Sequence, residues 1–543
     1  MACVAPACGR PQNQEIYDKN DMLTCYPIDN VEMVLDWEAP KQSWASKVVP
    51  RLKRTKQVYK GYIKCEQDLD PNVPISRRLV PKTLFCHDMR GGYLDDRFVE
   101  GCEDDSAFNF FRWSVIDIFV YFSHNFLTIP PVTWINAAHR NGVPVLGTII
   151  TEGEKGEELC QLLFNDREKV QRLCEKLAFI SEHYGFSGYL LNIENIIQEK
   201  HLDNLLYFVM ELNSQLKNFC HDNILLWYDS VDVRSGKLDW QNKLNQKNKS
   251  FFDTCDGIFL NYGWTEECLQ ISLRNAEERN LDVYVGVDVF GRGCLGGGGF
   301  NCCEPMSMIR RYNLSAAIFA PGWVHETLEE DEEHTFLQRD YKFWACLYDY
   351  LFVSGPGQLP FETSFCVGSG LNTYHKGRIT KKGRWHNIGK QDFQICDLIG
   401  WANFEEHSCI SYYENDAYNG GTCLILKKPN AEEKHHEHRL FVCEFRTTDY
   451  DYLILKITVK LLGESNGNFE LYIRTISEDG AENKHYLKPD KDTYHKLSAK
   501  RWVNRIFSTD PGIGTVVELG YRMYKIDAIL LGRIRVIKEP LTL

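Results

Sequence analysis

The sequence predicts an α/β chain: a (β/α)8 TIM barrel followed by a C-terminal all-β sandwich region. From about residue 81, short runs rich in Val, Ile, Leu, Phe and Tyr alternate with amphipathic stretches of helical spacing. Eight such units fit into about 270 residues, the length and count of a TIM barrel. A doubly wound open sheet is the alternative, but it usually has fewer strands and an early phosphate- or dinucleotide-binding signature, which this sequence lacks.

The predicted barrel strands are short branched and aromatic runs. They are Leu84–Met89, Val115–His124, Val143–Glu152, Gly188–Asn195, Asn223–Ser230, Gly257–Trp264, Val283–Phe290 and Ala316–Trp323. Helical spacing lies between them at Val132–Asn141, Glu157–Tyr184, His201–Cys220 and Glu304–Tyr312, and a final helix is predicted at Thr335–Phe352.

Three regions follow from these patterns: a flank over residues 1–80, the barrel over 81–355, and a β-sandwich of carbohydrate-binding type over 370–543. We expect the flank to pack on the barrel and its first 25 or so residues to be disordered. The sandwich strands are predicted from short alternating runs separated by turn residues. They are Cys423–Leu426, Leu440–Phe445, Tyr452–Leu461, Phe469–Ile476 and Ala528–Ile537.

The composition excludes several classes of protein. Lys plus Arg is 62 and Asp plus Glu is 75, a net charge of −13 without a long basic block, so a nucleic-acid partner held by phosphate contacts is not expected. Hydrophobic residues at 43% exclude a mainly disordered chain. The aromatic share of 13% is high and suggests flat apolar ligands or sugar rings.

No membrane partner and no secretory signal are expected. The longest apolar runs fall short of the roughly 18 to 20 residues of a membrane helix, and the first residues, MACVAPACGRPQNQE, contain no basic and apolar signal regions. We therefore expect a cytosolic protein whose 20 cysteines are free thiols. No metal site is predicted, because His435-His436-Glu437-His438 is interpreted as a solvated loop.

In a TIM barrel the reacting groups lie at the carboxyl ends of the strands, and here those ends are polar and aromatic. They include His87-Asp88, His124, Thr151-Glu152, Asn192 to Asn195, Tyr228-Asp229, Asn261 to Trp264, Asp288, and Trp323 followed by Glu326. Because alternate residues of a strand share a face, the all-apolar parity should face the helices. That parity turns Asn192 and Glu194 of the fourth strand, and Asp288 of the seventh, toward the barrel interior.

The Asn192-x-Glu194 triplet suggests one kind of chemistry. A carboxyl group among aromatic residues has a raised pKa and suits general acid catalysis. An ordinary retaining glycosidase needs a second carboxylate as nucleophile. The neighbouring amide could instead hold the 2-acetamido group of an N-acetylglucosamine, whose own carbonyl oxygen then attacks the anomeric carbon.

Several segments resemble the cytosolic endo-β-N-acetylglucosaminidases of glycoside hydrolase family 85. They cover all eight strands and include LFCHDMRGGYLDDRF (84–98), GYLLNIEN (188–195), LLWYDSV (225–231), LNYGW (260–264), VYVGVDVFGRG (283–293) and FAPGWVHE (319–326). The resemblance implies cleavage between the two N-acetylglucosamines of an N-glycan core by substrate-assisted retention, through an oxazoline or oxazolinium intermediate. It implies no cofactor, and its substrates would be N-glycans and free oligosaccharides with a chitobiose core.

The resemblance also implies residue roles. Glu194 matches the general acid/base, Asn192 the residue that orients the acetamido group, and Tyr228 a tyrosine that hydrogen-bonds near the reacting centre. Trp264 and Trp323 match aromatic wall positions. The other strand-end residues predicted to bind substrate are His87, Asp88, Asn261, Tyr262 and Asp288.

Two other functions compete with this interpretation. One is a catalytically silent, lectin-like barrel, which the joint presence of Asn192, Glu194 and Tyr228 disfavours. The other is a chitinase-like hydrolase, which would carry a further acidic residue on the fourth strand where this sequence has Leu190.

Overall fold

A computed structural model of the protein describes residues 23–41, 43–60, 73–104, 106–328, 335–396, 409–428, 435–490 and 496–540. Of the segment expected to be disordered, residues 1–22 lie outside the described residues. The described chain begins at Leu23, and Thr24 and Cys25 are buried.

Eight parallel strands form a closed barrel, as the sequence predicts. They are β1 (Thr83–His87), β2 (Ile118–Tyr121), β3 (Val145–Glu152), β4 (Gly188–Glu194), β5 (Ile224–Tyr228), β6 (Gly257–Leu260), β7 (Val283–Asp288) and β8 (Ser315–Phe319). Each strand pairs with its neighbours in sequence, β8 pairs with β1, and β2 pairs with β3, which closes the sheet.

The helices surround this barrel. They are α1 (Val31–Leu35), α2 (Val132–Arg140), α3 (Gly153–Phe164), α4 (Arg167–Tyr184), α5 (Leu202–Phe219), α6 (Lys249–Thr254), α7 (Glu266–Ala276), α8 (Cys303–Arg311), α9 (Trp323–Glu326) and α10 (Phe336–Leu347). The single helix expected over Glu157–Tyr184 is two helices, because Asp166 accepts hydrogen bonds from the backbone N–H groups of Glu168 and Lys169 and so caps α4.

Alternate side chains of each strand pack in two different hydrophobic regions, as predicted. On β4, Leu190 packs in the barrel interior, whereas Tyr189, Leu191 and Ile193 pack in the larger core that includes the helices. On β7, Tyr284 faces inward while the valines face outward. This sorting turns the polar residues of the inward parity toward the barrel mouth.

The segment before the barrel packs against its outside. Trp44 stacks on Tyr184 of α4 with ring centroids 4.3 Å apart. Arg54 donates from Nη1 to the carbonyl oxygen of Ile116 over 2.6 Å. The short strand Gln57–Lys60 pairs with Phe352–Val353, beyond the last barrel helix.

Antiparallel sheets follow the barrel, again as predicted. Their strands are β9 (Ser369–His375), β10 (Arg378–His386), β11 (Ile410–Tyr413), β12 (Cys423–Lys427), β13 (His435–Thr447), β14 (Asp451–Leu461), β15 (Asn468–Ser477), β16 (Glu482–Leu487), β17 (Val503–Thr509), β18 (Gly514–Tyr524) and β19 (Ala528–Pro540). One sheet has the order β11-β12-β19-β14-β17 and another β13-β18-β15-β16. The solvated loop expected at His435 to His438 is wrong, because these residues begin β13 and pair with β18.

Buried polar contacts join these sheets to the barrel. Gln391, which follows β10, accepts a hydrogen bond at Oε1 from the indole Nε1 of Trp113 over 2.5 Å. Its amide nitrogen donates to the carbonyl oxygen of Phe110 over 2.9 Å. Gln391 and Trp113 are fully buried, so the β region shares an interior with the barrel.

Two expectations about composition can be compared with the structure. Every cysteine among the described residues is a free thiol. In the described part of the chain, no helix combines the length and apolar character needed to cross a bilayer.

Candidate active site

A cavity of about 410 Å³ opens at the carboxyl ends of the barrel strands. We call it the catalytic cavity. Seven of the predicted site residues line it: Asp88, Asn192, Glu194, Tyr228, Asn261, Tyr262 and Asp288. The remaining lining residues are Phe122, His124, Glu152, Leu190, Trp240, Phe259, Arg292 and Phe319.

Glu194 is the last residue of β4, and two hydrogen bonds fix its carboxyl group. Oε2 accepts from the side-chain Nδ2 of Asn192 over 3.0 Å, and Oε1 accepts from the indole Nε1 of Trp240 over 3.1 Å. Burial outweighs these bonds and raises the pKa of Glu194 above its ordinary value. A carboxyl group in this setting can donate a proton nearer neutral pH than an exposed glutamate can.

Asn192 is nearly buried, with 2% of its surface exposed. The Asn192 amide nitrogen donates to Glu194 Oε2, so the amide oxygen turns away from that carboxyl group. That oxygen, Oδ1, is buried and finds no hydrogen-bond partner among the described residues. The site therefore contains an unused acceptor next to a proton donor.

Tyr228, the last residue of β5, is held by a chain of amides. Its hydroxyl donates to Asn261 Oδ1 over 2.9 Å, and Asn261 Nδ2 donates to Asn242 Oδ1 over 2.8 Å. The backbone N–H of Asn242 donates in turn to the buried carboxylate of Asp229 over 2.7 Å. Burial raises the pKa of Tyr228, so its hydroxyl stays neutral and keeps its proton in the hydrogen bond to Asn261.

Asp288, at the end of β7, is occupied by Arg292. The guanidinium binds both carboxylate oxygens, with Nε to Oδ2 at 2.8 Å and Nη2 to Oδ1 at 3.0 Å. Only 1% of Asp288 is exposed. The arginine lies 5.7 Å from the ring centroid of Phe319 on β8, so this pair forms a charged wall of the catalytic cavity.

A second pair of side chains, His124 and Glu152, lies next to Glu194. Glu152 ends β3 and is the register partner of Glu194 on β4, so the two carboxyl groups stand side by side. His124 Nδ1 is 3.2 Å from each oxygen of Glu152. That hydrogen bond raises the pKa of His124 above its ordinary value.

The structure does not bring three of the predicted residues into the catalytic cavity. His87 has the outward parity of β1 and lies against Trp134, with ring centroids 4.6 Å apart. Trp264 is 5% exposed and donates from Nε1 to the carbonyl oxygen of Gly286 over 2.8 Å. Trp323 packs against Phe300, with ring centroids 5.2 Å apart.

Sequence reasoning missed Trp240. It lies between the end of β5 at Tyr228 and the start of α6 at Lys249. A long loop after a barrel strand is a position where functional residues concentrate, and its length was the available signal. The ion pair between Arg292 and Asp288 has no recognisable pattern in the sequence, because it depends on the path of the loop that follows β7.

The profile of glycosyl hydrolase family 85 matches residues 93–373. The chain is 46% identical over 364 residues to the cytosolic endo-beta-N-acetylglucosaminidase of Gallus gallus, covering 66% of this chain and 48% of that protein. It is 38% identical over 510 residues to the Homo sapiens protein of the same name, covering 90% of this chain and 65% of that protein. The chain thus spans about half to two thirds of the length of these relatives.

Among solved structures, the fold is similar to the glycoside hydrolase domain of Endo-D from Streptococcus pneumoniae R6. The TM-score is 0.72 at 18% sequence identity, covering 94% of this chain and 82% of that chain. This similarity agrees with the barrel and the antiparallel sheets described above.

Proposed function

The chain belongs to glycosyl hydrolase family 85, and from that premise we propose that it is an endo-β-N-acetylglucosaminidase. It cleaves the bond between the two N-acetylglucosamines of an N-glycan core with retention of configuration. Because relatives of this chain carry the word cytosolic in their names, we propose free oligosaccharides and glycoproteins of the cytosol as its substrates.

The observation that carries this proposal is the unpaired acceptor beside the acid. Asn192 Oδ1 is a buried oxygen in need of a donor, and the N–H of a substrate acetamido group supplies one. The bond aims the acetamido carbonyl oxygen at the anomeric carbon. That oxygen forms the new bond to carbon while Glu194 gives its proton to the oxygen of the departing N-acetylglucosamine.

The second step reverses the roles. The ionised Glu194 takes a proton from an incoming water, whose oxygen opens the oxazoline at the anomeric carbon and returns the electron pair to the acetamido oxygen. Two attacks on opposite faces give net retention. The Trp240 indole N–H, at 3.1 Å, keeps the carboxylate in position when it is ionised.

The state of Glu152 and Asp288, two of the three other carboxylates that line the catalytic cavity, favours substrate assistance over a protein nucleophile. A retaining mechanism with two carboxyl groups needs a free carboxylate about 5 Å from the acid, across the scissile bond. Glu152 stands beside Glu194 on the adjacent strand and is bonded to His124. Asp288 has both oxygens bound by Arg292.

Digestion of a defined glycopeptide tests the proposal. Wild-type protein should release the glycan from a peptide bearing one N-glycan and leave a single N-acetylglucosamine on the peptide, as read from product masses. Chitin oligosaccharides form a parallel arm, and cleavage of these alone would identify a chitinase-like hydrolase. Glycopeptide binding without cleavage would identify the lectin-like alternative and overturn the proposed reaction.

A further inference from the structure

A second cavity lies next to the catalytic cavity, and we call it the outer cavity. Its volume is about 170 Å³, about six times the share of one water in the liquid. His87 and Met89 line it, while Asp88 between them lines the catalytic cavity. The end of β1 is therefore a wall one residue thick between two cavities.

Four of the residues that line the outer cavity each have a buried side-chain atom without a partner among the described residues. Among the described residues, no hydrogen bond reaches His87 Nδ1, Asp96 Oδ1, His325 Nδ1 or His386 Nε2. The other oxygen of Asp96 is satisfied by Tyr121 and Trp134, at 2.7 and 2.8 Å. Buried polar atoms without partners cost stability, so a cluster of four around one space indicates that something else satisfies them.

The charge state of these groups restricts what can bind. Burial lowers the pKa of His87 to about 3 and that of His386 to about 4, so both rings are neutral at physiological pH. A neutral imidazole offers one donor and one acceptor, and Asp96 Oδ1 offers an acceptor. Asp95 and Asp104 also line the cavity, and their charge opposes an anion. Arg90 lines it too, but its side chain is mostly exposed and lies 4.0 Å from the carboxylate of Glu326.

The remaining wall is apolar and aromatic. Phe108 stacks on His87, with ring centroids 5.2 Å apart and 16° between the planes. Met89, Leu94 and Trp134 complete this side. Apolar and aromatic side chains beside neutral imidazoles suit an uncharged organic ligand. Within the described ranges, no three His, Cys, Asp or Glu side chains are arranged to hold a metal ion.

We propose that the outer cavity is a second binding site that takes one neutral sugar unit of hexose size. Its hydroxyl groups donate to Asp96 Oδ1 and exchange hydrogen bonds with the imidazoles of His87 and His386. Its C–H face lies on the apolar side formed by Phe108 and Met89. The unit is either a free monosaccharide or the terminal residue of an oligosaccharide, since both present this chemistry.

Titration calorimetry with D-mannose tests the site on the full chain. His386→Phe keeps a ring but removes its nitrogens, and it should weaken D-mannose binding about tenfold, the scale of one lost hydrogen bond. His436→Phe is the matched control: His436 Nε2 is also buried without a partner among the described residues, and its pKa is also lowered to about 4, but it lies on β13. The control should bind D-mannose as wild type does.

Further arms separate the outcomes. Ala107→Leu adds volume at the lining of the outer cavity and should abolish the same binding if His386→Phe does not fold. D-glucuronate, an anion, should bind more weakly than D-mannose. Tighter binding of a mannose-terminated trisaccharide than of D-mannose would identify the terminal residue of an oligosaccharide as the source, and equal or weaker binding the free monosaccharide.

A crystal soaked in D-mannose should contain the sugar in the outer cavity. Water alone in that cavity, sugar at crystal concentration only, or equal affinities of wild type, His386→Phe and Ala107→Leu would overturn the proposal. These results are independent of whether the chain cleaves N-glycans.

Discussion

One hydrogen bond joins the side chains of Asn192 and Glu194, and each side chain has an oxygen atom that this bond does not use. Asn192 Nδ2 donates to Glu194 Oε2 over 3.0 Å, and among the described residues Asn192 Oδ1 has no partner. Glu194 Oε1 accepts from Trp240. The pair thus combines an acid and an unused acceptor on one face of one strand.

Replacing Glu194 by Gln should remove hydrolysis of glycopeptides, with kcat lowered by about two to four powers of ten, because a glutamine amide cannot give its proton to the leaving oxygen. Burial raises the folded-state pKa of Glu194, so the ionised carboxyl destabilises the fold as pH rises above its unfolded pKa. Glu194→Gln should therefore have a Tm at pH 7 equal to or above that of wild type, measured by calorimetry. Activity within tenfold of wild type would mean that the acid lies elsewhere.

Asn192→Ala should separate the two steps of the reaction. It removes the group that orients the acetamido oxygen, so glycopeptide hydrolysis should fall by about two to four powers of ten. A synthetic sugar oxazoline bypasses that step, and Asn192→Ala should still couple it to an N-acetylglucosamine acceptor, whereas Glu194→Ala should do neither well. Product yield from both donors is the measurement. Identical failure of the two variants on both donors would contradict the assigned roles.

The His124–Glu152 pair should shift the pH profile in opposite directions when each member is removed. Glu152 raises the pKa of Glu194 and His124 lowers it. Glu152→Gln should therefore move the basic limb of kcat/KM to lower pH, and His124→Gln should move it to higher pH. Asp88 and Arg292 also line this cavity and are unchanged in both variants. Shifts of the same sign would show that the pair does not act on Glu194 through its charge.

Two tryptophan variants should separate catalysis from stability. Trp240→Phe loses the indole N–H that binds Glu194, so kcat/KM should fall about tenfold, with Tm nearly unchanged. Trp264→Phe loses a buried bond to the Gly286 carbonyl, so the free energy of unfolding should fall by about 1 to 3 kcal/mol, with little change in kcat/KM. Kinetics and chemical denaturation of both variants test this pair. A catalytic defect confined to Trp264→Phe would return that residue to the substrate groove.

The sequence predicts the barrel and the inward residues of β4 and β7, because burial on one face leaves a strict alternation of apolar side chains. It predicts less well which strand-end residues meet the catalytic cavity. A position near a strand end fixes the edge of the sheet at which a residue lies, but not the face to which its side chain turns. The His87 side chain lies on the outward face together with Phe85. Applied to β1, the parity argument used for β4 would have placed the His87 side chain outside the catalytic cavity.

Other features have no local signal in the sequence. Most of β10, over Arg378–His386, is exposed and carries four basic residues in its first seven, so the apolar alternation of a half-buried strand is absent. The reach of Trp240 across the cavity depends on the path of a long loop, which packing of the whole barrel decides. Both features depend on tertiary packing, so the periodicity of apolar residues in the sequence does not predict them.

The hydrogen bond between Trp113 and Gln391 bears on how the chain can be divided. A fragment ending after α10 would leave the Trp113 indole N–H without its acceptor in an apolar interior. It would also leave the carbonyl oxygen of Phe110 without this donor. Each group left buried without a partner would cost about 1 to 3 kcal/mol. Separation of the barrel from the sheets should therefore destabilise the barrel. Heating should melt barrel and sheets in one calorimetric peak.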